Sequence, residues 1–222
     1  MDNKILRNSI KAVLWDMDGV LIDSEPGYNQ TIGEMLNSLG YEYGEEEIMK
    51  TTGASYKDVA GALGLKEPAE EIERLYIEAL LRSLRVNVTE LIPGVSEFLD
   101  WLQQRNIKMA LGTSSPLVSV ELVIEKFSLH KWISVMVTGS DVDKGKPAPD
   151  IYLRCAELLS AAPEECLVVE DSANGIKAGK NAGMWVCAFT GAQHHAFDLS
   201  QADFELKSFG PEDLPKIKEL FR

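Results

Sequence analysis

The chain has 222 residues, 45% hydrophobic and 26% charged, the balance of a globular protein with room for one substantial core and a small second one. Its 22 basic residues against 35 acidic ones leave a formal net charge of −13, which excludes the basic surface that nucleic-acid phosphates require, so no nucleic acid is expected as a partner. No apolar run approaches transmembrane length, Met1-Asp2-Asn3-Lys4 does not open a signal peptide, and Cys155, Cys166 and Cys187 read as packed, reduced thiols; a cytoplasmic protein with no membrane partner is expected.

The first element in the chain is a short buried strand, Ala12 to Trp15, of the kind found in parallel sheets. It runs directly into Asp16 and Asp18. Ligands of open α/β sheets bind beyond the carboxyl ends of the strands, and alternation of an extended chain points both carboxylates to one side. Two like charges held that close raise each other's proton affinity unless a cation sits beside them, and a hard divalent ion such as Mg²⁺ supplies one. A calcium loop does not fit, because Val20, Leu21 and Gly27 stand where its third carboxylate, glycine and closing glutamate belong.

After Gly19 the chain turns helical. Ser24 is a fair N-cap with Pro26 in the first turn, and the helix that follows carries Ile32, Met35, Leu36 and Leu39 on one face and stops at Gly40. From Gly44 to Arg85 the pattern stays helical; its best segment runs from Pro68 to Leu84, with Ile72, Leu75, Tyr76, Ala79 and Leu80 as the packing face. Leu91-Ile92-Pro93-Gly94 then breaks the chain. Beyond it helices alternate with apolar strands at Lys108 to Gly112, Ser134 to Thr138, Cys166 to Val169, Trp185 to Phe189 and Asp203 to Leu206. Alternating βα units predict an α/β fold, a doubly wound parallel sheet, with a helical block inserted just after the first strand. The expected domains are a core of residues 1–23 and 92–222 and a helical cap of residues 24–91.

The strand ends deliver further chemistry. Gly112-Thr113-Ser114-Ser115-Pro116 places hydroxyls and backbone N–H groups at a helix start, a ready anion site as well as an ordinary cap. Lys144 and Lys146 lie just ahead of another helix, with Pro147 and Pro149 fixing the backbone that presents Lys146. Glu170 and Asp171 follow the fourth strand directly, so they face desolvation and need a partner; Asp171 or Ser172 is also a natural cap for the glycine-rich helix from about Gly175. With the overall field repelling anions, a phosphate ligand must be held by such local groups and a metal.

These residues resemble the haloacid dehalogenase superfamily of phosphotransferases across the whole chain: Asp16-Met17-Asp18-Gly19-Val20, Thr113 after an apolar strand, Lys146-Pro147, and Glu170-Asp171 match its four motifs in order. Leu21-Ile22-Asp23-Ser24-Glu25-Pro26 and Lys146-Pro147-Ala148-Pro149-Asp150 look like the branch of β-phosphoglucomutase and the sugar-phosphate phosphatases. The resemblance implies a first strand flanked by strands two and four. It implies Asp16 as nucleophile, Asp18 as general acid and base, and Mg²⁺ held by Asp16, the Asp18 carbonyl and Asp171, with Glu170 ligating or holding ordered waters. Thr113, the Ser114 amide and Lys146 would bind the phosphoryl oxygens.

One departure bears on the reaction. In β-phosphoglucomutase the cap carries a His and an Arg that grips a second phosphate; here Tyr28 and Tyr56 stand in those places, with Lys57 beside the latter. That favours hydrolysis over a mutase reaction. A binding module without turnover is disfavoured by the complete set of carboxylates, and a dehalogenase by Asp18. The expected protein is a Mg²⁺-dependent phosphatase of small phosphorylated metabolites of the sugar-phosphate class, with a sugar-phosphate mutase as the alternative, a monomer favoured over an oligomer, and a cap that opens and closes on its two connections.

Overall fold

The structure, a computed structural model, describes residues 10–47, 56–192 and 198–221. Six parallel strands form one sheet in the order β3-β2-β1-β4-β5-β6: β1 Ala12–Trp15, β2 Lys108–Thr113, β3 Val135–Thr138, β4 Cys166–Glu170, β5 Trp185–Phe189 and β6 Phe204–Leu206. The expected strands are all present within a residue or two of their ends. Strand β1 is central, with Trp15 in register with Leu111 on one side and Val169 on the other.

Side-chain alternation sorts the strands into two cores. Val13, Trp15, Leu111, Val169 and Phe189 face one layer, where they meet helices α4 (Val95–Gln103), α5 (Leu117–Phe127) and α8 (Leu214–Lys218). Ala12, Leu14, Val168 and Val186 face the other, against α6 (Asp150–Leu159) and α7 (Ala173–Asn181). Both faces of a parallel sheet are thereby covered, which is why its strands carry so few polar residues. The largest anchor is Trp15, fully buried and edge-on to Phe98 at 5.8 Å between ring centroids. The three cysteines are buried and free, as read from their contexts.

Between β1 and β2 lie the helices α1 (Glu25–Ser38), α2 (Tyr56–Leu63) and α3 (Ala69–Val86). The expected face of α1 is present in Ile32, Met35 and Leu36, which are buried, while Leu39 is only half-buried at the helix end. These residues, with Tyr76, Ala79, Leu80 and Leu84 of α3, continue one apolar cluster through Leu21 and Ile22 into the α4/α5 layer. Among the described residues the inserted helices therefore share the core of that sheet face rather than forming one of their own. The two connections between the helices and the sheet meet, with Ile92 N–H donating to the Leu21 carbonyl at 2.9 Å. No helix among the described residues is long and apolar enough to cross a membrane.

Candidate active site

The loop after β1 is built to return on itself. The Leu21 and Ile22 N–H groups donate to the Met17 carbonyl, and Gly19 N–H donates to the Ile22 carbonyl at 2.8 Å. Gly19 has φ +78°, a backbone that glycine adopts without strain. A Cβ there would also meet Asp171 Oδ2 at 1.9 Å, so the residue must be bare for the β4 loop to approach. The loop thus sets Asp16 and Asp18 against Asp171 and brings Ser24 back beside Asp18.

One pocket of about 100 Å³ collects the expected core residues. Asp16, Asp18, Thr113, Ser114, Lys146, Glu170 and Asp171 line it from the sheet side, and Glu25, Tyr28, Asn29, Tyr76 and Leu80 from α1 and α3. They converge because strand order puts the ends of β1, β2 and β4 side by side at the point where the winding reverses. Tyr56 and Lys57 begin α2, but their side chains lie outside the described residues.

Lys146 is the hub. Its Nζ donates to Asp16 Oδ1 at 2.5 Å, Glu170 Oε1 at 2.7 Å and the Gly112 carbonyl at 3.0 Å. Its side chain is 4% exposed and lies 4.8 Å from the Tyr152 ring. Burial works against its charge, yet Asp16 and Glu170 more than offset this and hold the ammonium well above the usual lysine range. All three ammonium N–H donors are thus engaged by protein. Lys146 thereby fixes the Asp16 and Glu170 carboxylates relative to each other.

Glu170 is equally committed. Oε1 also accepts from the Tyr152 hydroxyl at 3.0 Å, and Oε2 accepts from the Asp171 and Ser172 N–H groups, both at 2.9 Å, and from Ser172 Oγ at 3.0 Å. Ser172 caps α7, its hydroxyl accepting from Gly175 N–H, so Glu170 sits at the positive end of that helix. Of the two candidate caps it is Ser172 that serves; Asp171 faces the pocket instead.

Asp18 is held by two hydroxyls. Ser24 Oγ donates to Oδ1 and Ser115 Oγ to Oδ2, each at 2.6 Å. Ser24 was expected to cap α1, but it makes no side-chain cap bond. A carboxylate is the stronger acceptor and the loop brings it within reach, so the hydroxyl turns there. At the end of β2, Thr113 Oγ accepts from the Ser115 N–H at 3.0 Å, which leaves the threonine proton to donate into the pocket.

Five carboxyl groups and one ammonium among the described lining residues crowd this pocket, so the carboxyls disfavour one another's ionisation. Burial first, then Glu170 and Asp18 against the opposing Lys146, pushes the Asp16 carboxyl up to about 8. Burial, Glu170 and Asp16 likewise raise Asp171 well above the carboxylate range. Asp16 and Asp171 both line the pocket and could offer carboxylate oxygens to a cation, together with backbone carbonyls. Among the described residues no cluster of three or more His, Cys, Asp or Glu side chains converges as a metal site. A donor set of two carboxylates completed by carbonyl and water oxygens suits Mg²⁺, which keeps several waters.

The model of the haloacid dehalogenase-like hydrolases matches residues 13–189. The chain belongs to this family. It is 35% identical over 179 residues to a phosphorylated carbohydrates phosphatase of Thermotoga maritima, covering 79% of this chain and 82% of that one. It is 32% identical over 182 residues to hexitol phosphatase B of Escherichia coli, covering 79% and 81%. Among solved structures it is similar to CbbY from Rhodobacter sphaeroides in complex with phosphate, with a TM-score of 0.78 and 26% identity over 91% of this chain and 96% of that one. The family's fold is the fold observed, with helices inserted between the strands that carry its first two motifs.

Motif reading did not reach several residues of this site, Asn29 among them. Tyr152 holds Glu170 from the α6 layer, and nothing in its local pattern marks it. Tyr76 and Leu80 have the helical spacing of packing residues, and so they read as core; their position across from the aspartates is what makes them pocket residues. Ser115 was visible only as one hydroxyl in a run of three.

Proposed function

We propose that this protein is a Mg²⁺-dependent phosphatase of sugar or sugar-alcohol phosphates, working through an aspartyl-phosphate on Asp16. Membership of the family and the phosphatase relatives make it a phosphoric monoester hydrolase. The single observation that carries the finer reading is the Asp16–Lys146 contact, an attacking carboxylate held by a buried ammonium at the floor of a pocket with Asp18 beside it. Asp16 Oδ forms a bond to phosphorus while the bond from phosphorus to the sugar oxygen breaks, and a proton on Asp18 passes to that oxygen. Water then adds to phosphorus, its proton passes to Asp18, and inorganic phosphate leaves as the Asp16 carboxylate is restored.

Asp16, Asp171 and the Asp18 carbonyl would hold Mg²⁺, which supplies charge neutralisation to the phosphoryl oxygens when bound. Thr113 and the Ser114 amide would orient those oxygens, and Lys146 would join them by exchanging its Gly112 contact. The helices of residues 24–91 act as a cap hinged where Leu21 and Ile92 meet, admitting substrate when open and excluding water when closed. The cap side of the pocket presents Tyr28, Asn29, Tyr76 and Glu25, groups suited to sugar hydroxyls, and no cation among the described lining residues to grip a second phosphate.

The reading is tested by phosphate release from a panel of hexose, hexitol and shorter phosphomonoesters, with Mg²⁺ and with excess EDTA. Turnover of hexose or hexitol phosphates that vanishes with EDTA and gains nothing from glucose 1,6-bisphosphate is the expected result. Full turnover in EDTA overturns the metal assignment. Conversion of β-glucose 1-phosphate to glucose 6-phosphate faster than phosphate release, after bisphosphate priming, overturns hydrolysis.

A further inference from the structure

We propose that Ser115 is a positioning residue for the acid and base Asp18, an inference that rests on the phosphatase reading above. Its hydroxyl donates to Asp18 Oδ2 at 2.6 Å across 97 residues of sequence, and its N–H donates to Thr113 Oγ at 3.0 Å. One residue therefore sets the Asp18 carboxylate in register with the hydroxyl placed to orient the phosphoryl group. The second Asp18 oxygen is held by Ser24 Oγ from the base of the cap, also at 2.6 Å.

The two hydroxyls have unequal standing. Ser115 belongs to the loop that ends the rigid strand β2, so its grip on Oδ2 persists whatever the cap does. Ser24 stands at the start of α1, on the moving side of the hinge. Oδ1 is thereby the oxygen released to trade its proton with the leaving sugar oxygen and then with water, while Ser115 keeps the carboxylate plane fixed. Without the Ser115 hydroxyl the carboxylate is free to rotate, and proton transfer loses its alignment although the nucleophile, Lys146 and Thr113 stay in place.

The consequence is dependence on the leaving group. An alkyl phosphate needs a proton on its departing oxygen, whereas p-nitrophenolate departs without one, so loss of acid alignment is felt by the first and much less by the second in kcat/KM. Ser115 is half-buried and its hydroxyl meets a carboxylate rather than the core, so Ser115→Ala is expected to fold.

The test measures kcat/KM of the full-length Mg²⁺-loaded protein on a hexitol 6-phosphate and on p-nitrophenyl phosphate, for wild type, Ser115→Ala, Ser115→Thr, Asp18→Ala and the Ser115→Ala/Asp18→Ala double variant. The loss of a hydrogen bond to a charged group sets the expected size, so Ser115→Ala should lose about tenfold to a hundredfold on the hexitol phosphate. That loss should exceed its loss on the aryl ester by about tenfold, Ser115→Thr should recover most of it, and Ser115→Ala should add nothing in the Asp18→Ala background. Equal losses on both esters, or full additivity with Asp18→Ala, overturn the proposal. A raised inhibition constant for inorganic phosphate, with no leaving-group dependence, makes Ser115 a phosphate ligand and overturns it too. If wild type hydrolyses neither ester, the phosphatase reading falls first and this role falls with it.

Discussion

A Cβ on Gly175 would lie 1.6 Å from Oε1 of Glu170, so the carboxylate occupies the volume that any side chain at position 175 would need. That oxygen holds Lys146 and Tyr152, and Lys146 in turn holds Asp16. Gly175→Ala should push Glu170 off its helix N-terminus and loosen the whole chain of contacts. The expected cost is about 1–3 kcal/mol of stability, from the unmade bonds of a buried carboxylate. Turnover should drop about tenfold or more through misplacement of Asp16. Thermal unfolding and steady-state kinetics check both, and wild-type values for the two together would place Glu170 outside the catalytic arrangement.

Asp16 stores a charge that the folded protein holds at a cost. Its carboxyl is pushed up to about 8 when no cation is present, chiefly by burial, with Lys146 opposing and Glu170 and Asp18 adding to the rise. An acid with a raised folded-state pKa binds more protons folded than unfolded, so its contribution to stability is present at low pH and is lost as pH rises from about 4 to about 8. The metal-free protein should accordingly melt lower at pH 8 than at pH 5.5, with Mg²⁺ removing most of the difference by linkage. Asp16→Asn should melt higher than wild type in EDTA, flatten this dependence and lose turnover by orders of magnitude. Calorimetry across pH decides it; a wild-type melting temperature that climbs from pH 5.5 to 8 in EDTA would contradict the placement of Asp16.

Tyr28 donates to the Tyr76 hydroxyl at 2.9 Å, and the rings meet edge to face with centroids 6.0 Å apart. Burial first holds Tyr28 well above the usual tyrosine range and Tyr76 at about 12, so both are neutral hydroxyls at physiological pH. Tyr28→Phe removes the donor and keeps the ring. A neutral hydrogen bond of about 1 kcal/mol corresponds to about fivefold, which should appear mainly in KM for a hexitol phosphate. An unchanged KM would exclude this pair from substrate contact.

Lys126 of α5 donates to the Leu84 and Arg85 carbonyls at 2.9 and 3.1 Å, capping the C-terminal end of α3 where the inserted helices meet the helices over the sheet. A cation there offsets the negative end of the helix. Lys126→Met should cost about 1 kcal/mol, or about 2–4 °C in melting temperature, and shift kcat and KM together as the cap loses its rest position. A shift in melting temperature with unaltered kinetics would assign Lys126 to stability alone.

Much of this protein follows from its sequence because the relevant physics is local. A buried strand followed at once by two carboxylates fixes Asp16 and Asp18 at a sheet end, and alternating βα units dictate a parallel sheet that gathers Thr113, Lys146 and Glu170 at the same edge. What only the tertiary structure decided are bonds between residues far apart in the chain: Lys146 with Asp16 over 130 residues, and Ser115 with Asp18 over 97. Ser24 shows why local reading fails there. The chain around it offers a helix N-terminus to cap, yet its hydroxyl goes to a carboxylate that the loop fold brings within 2.6 Å. Tyr76 has the spacing of a core residue, and its place in the pocket with Asp16 and Asp18 comes from the way α3 packs on α1. Hydrophobic period and motif order specify which strands and helices form and where charges enter the sheet edge; which donor each charge receives depends on through-space distance, which no spacing along the chain encodes.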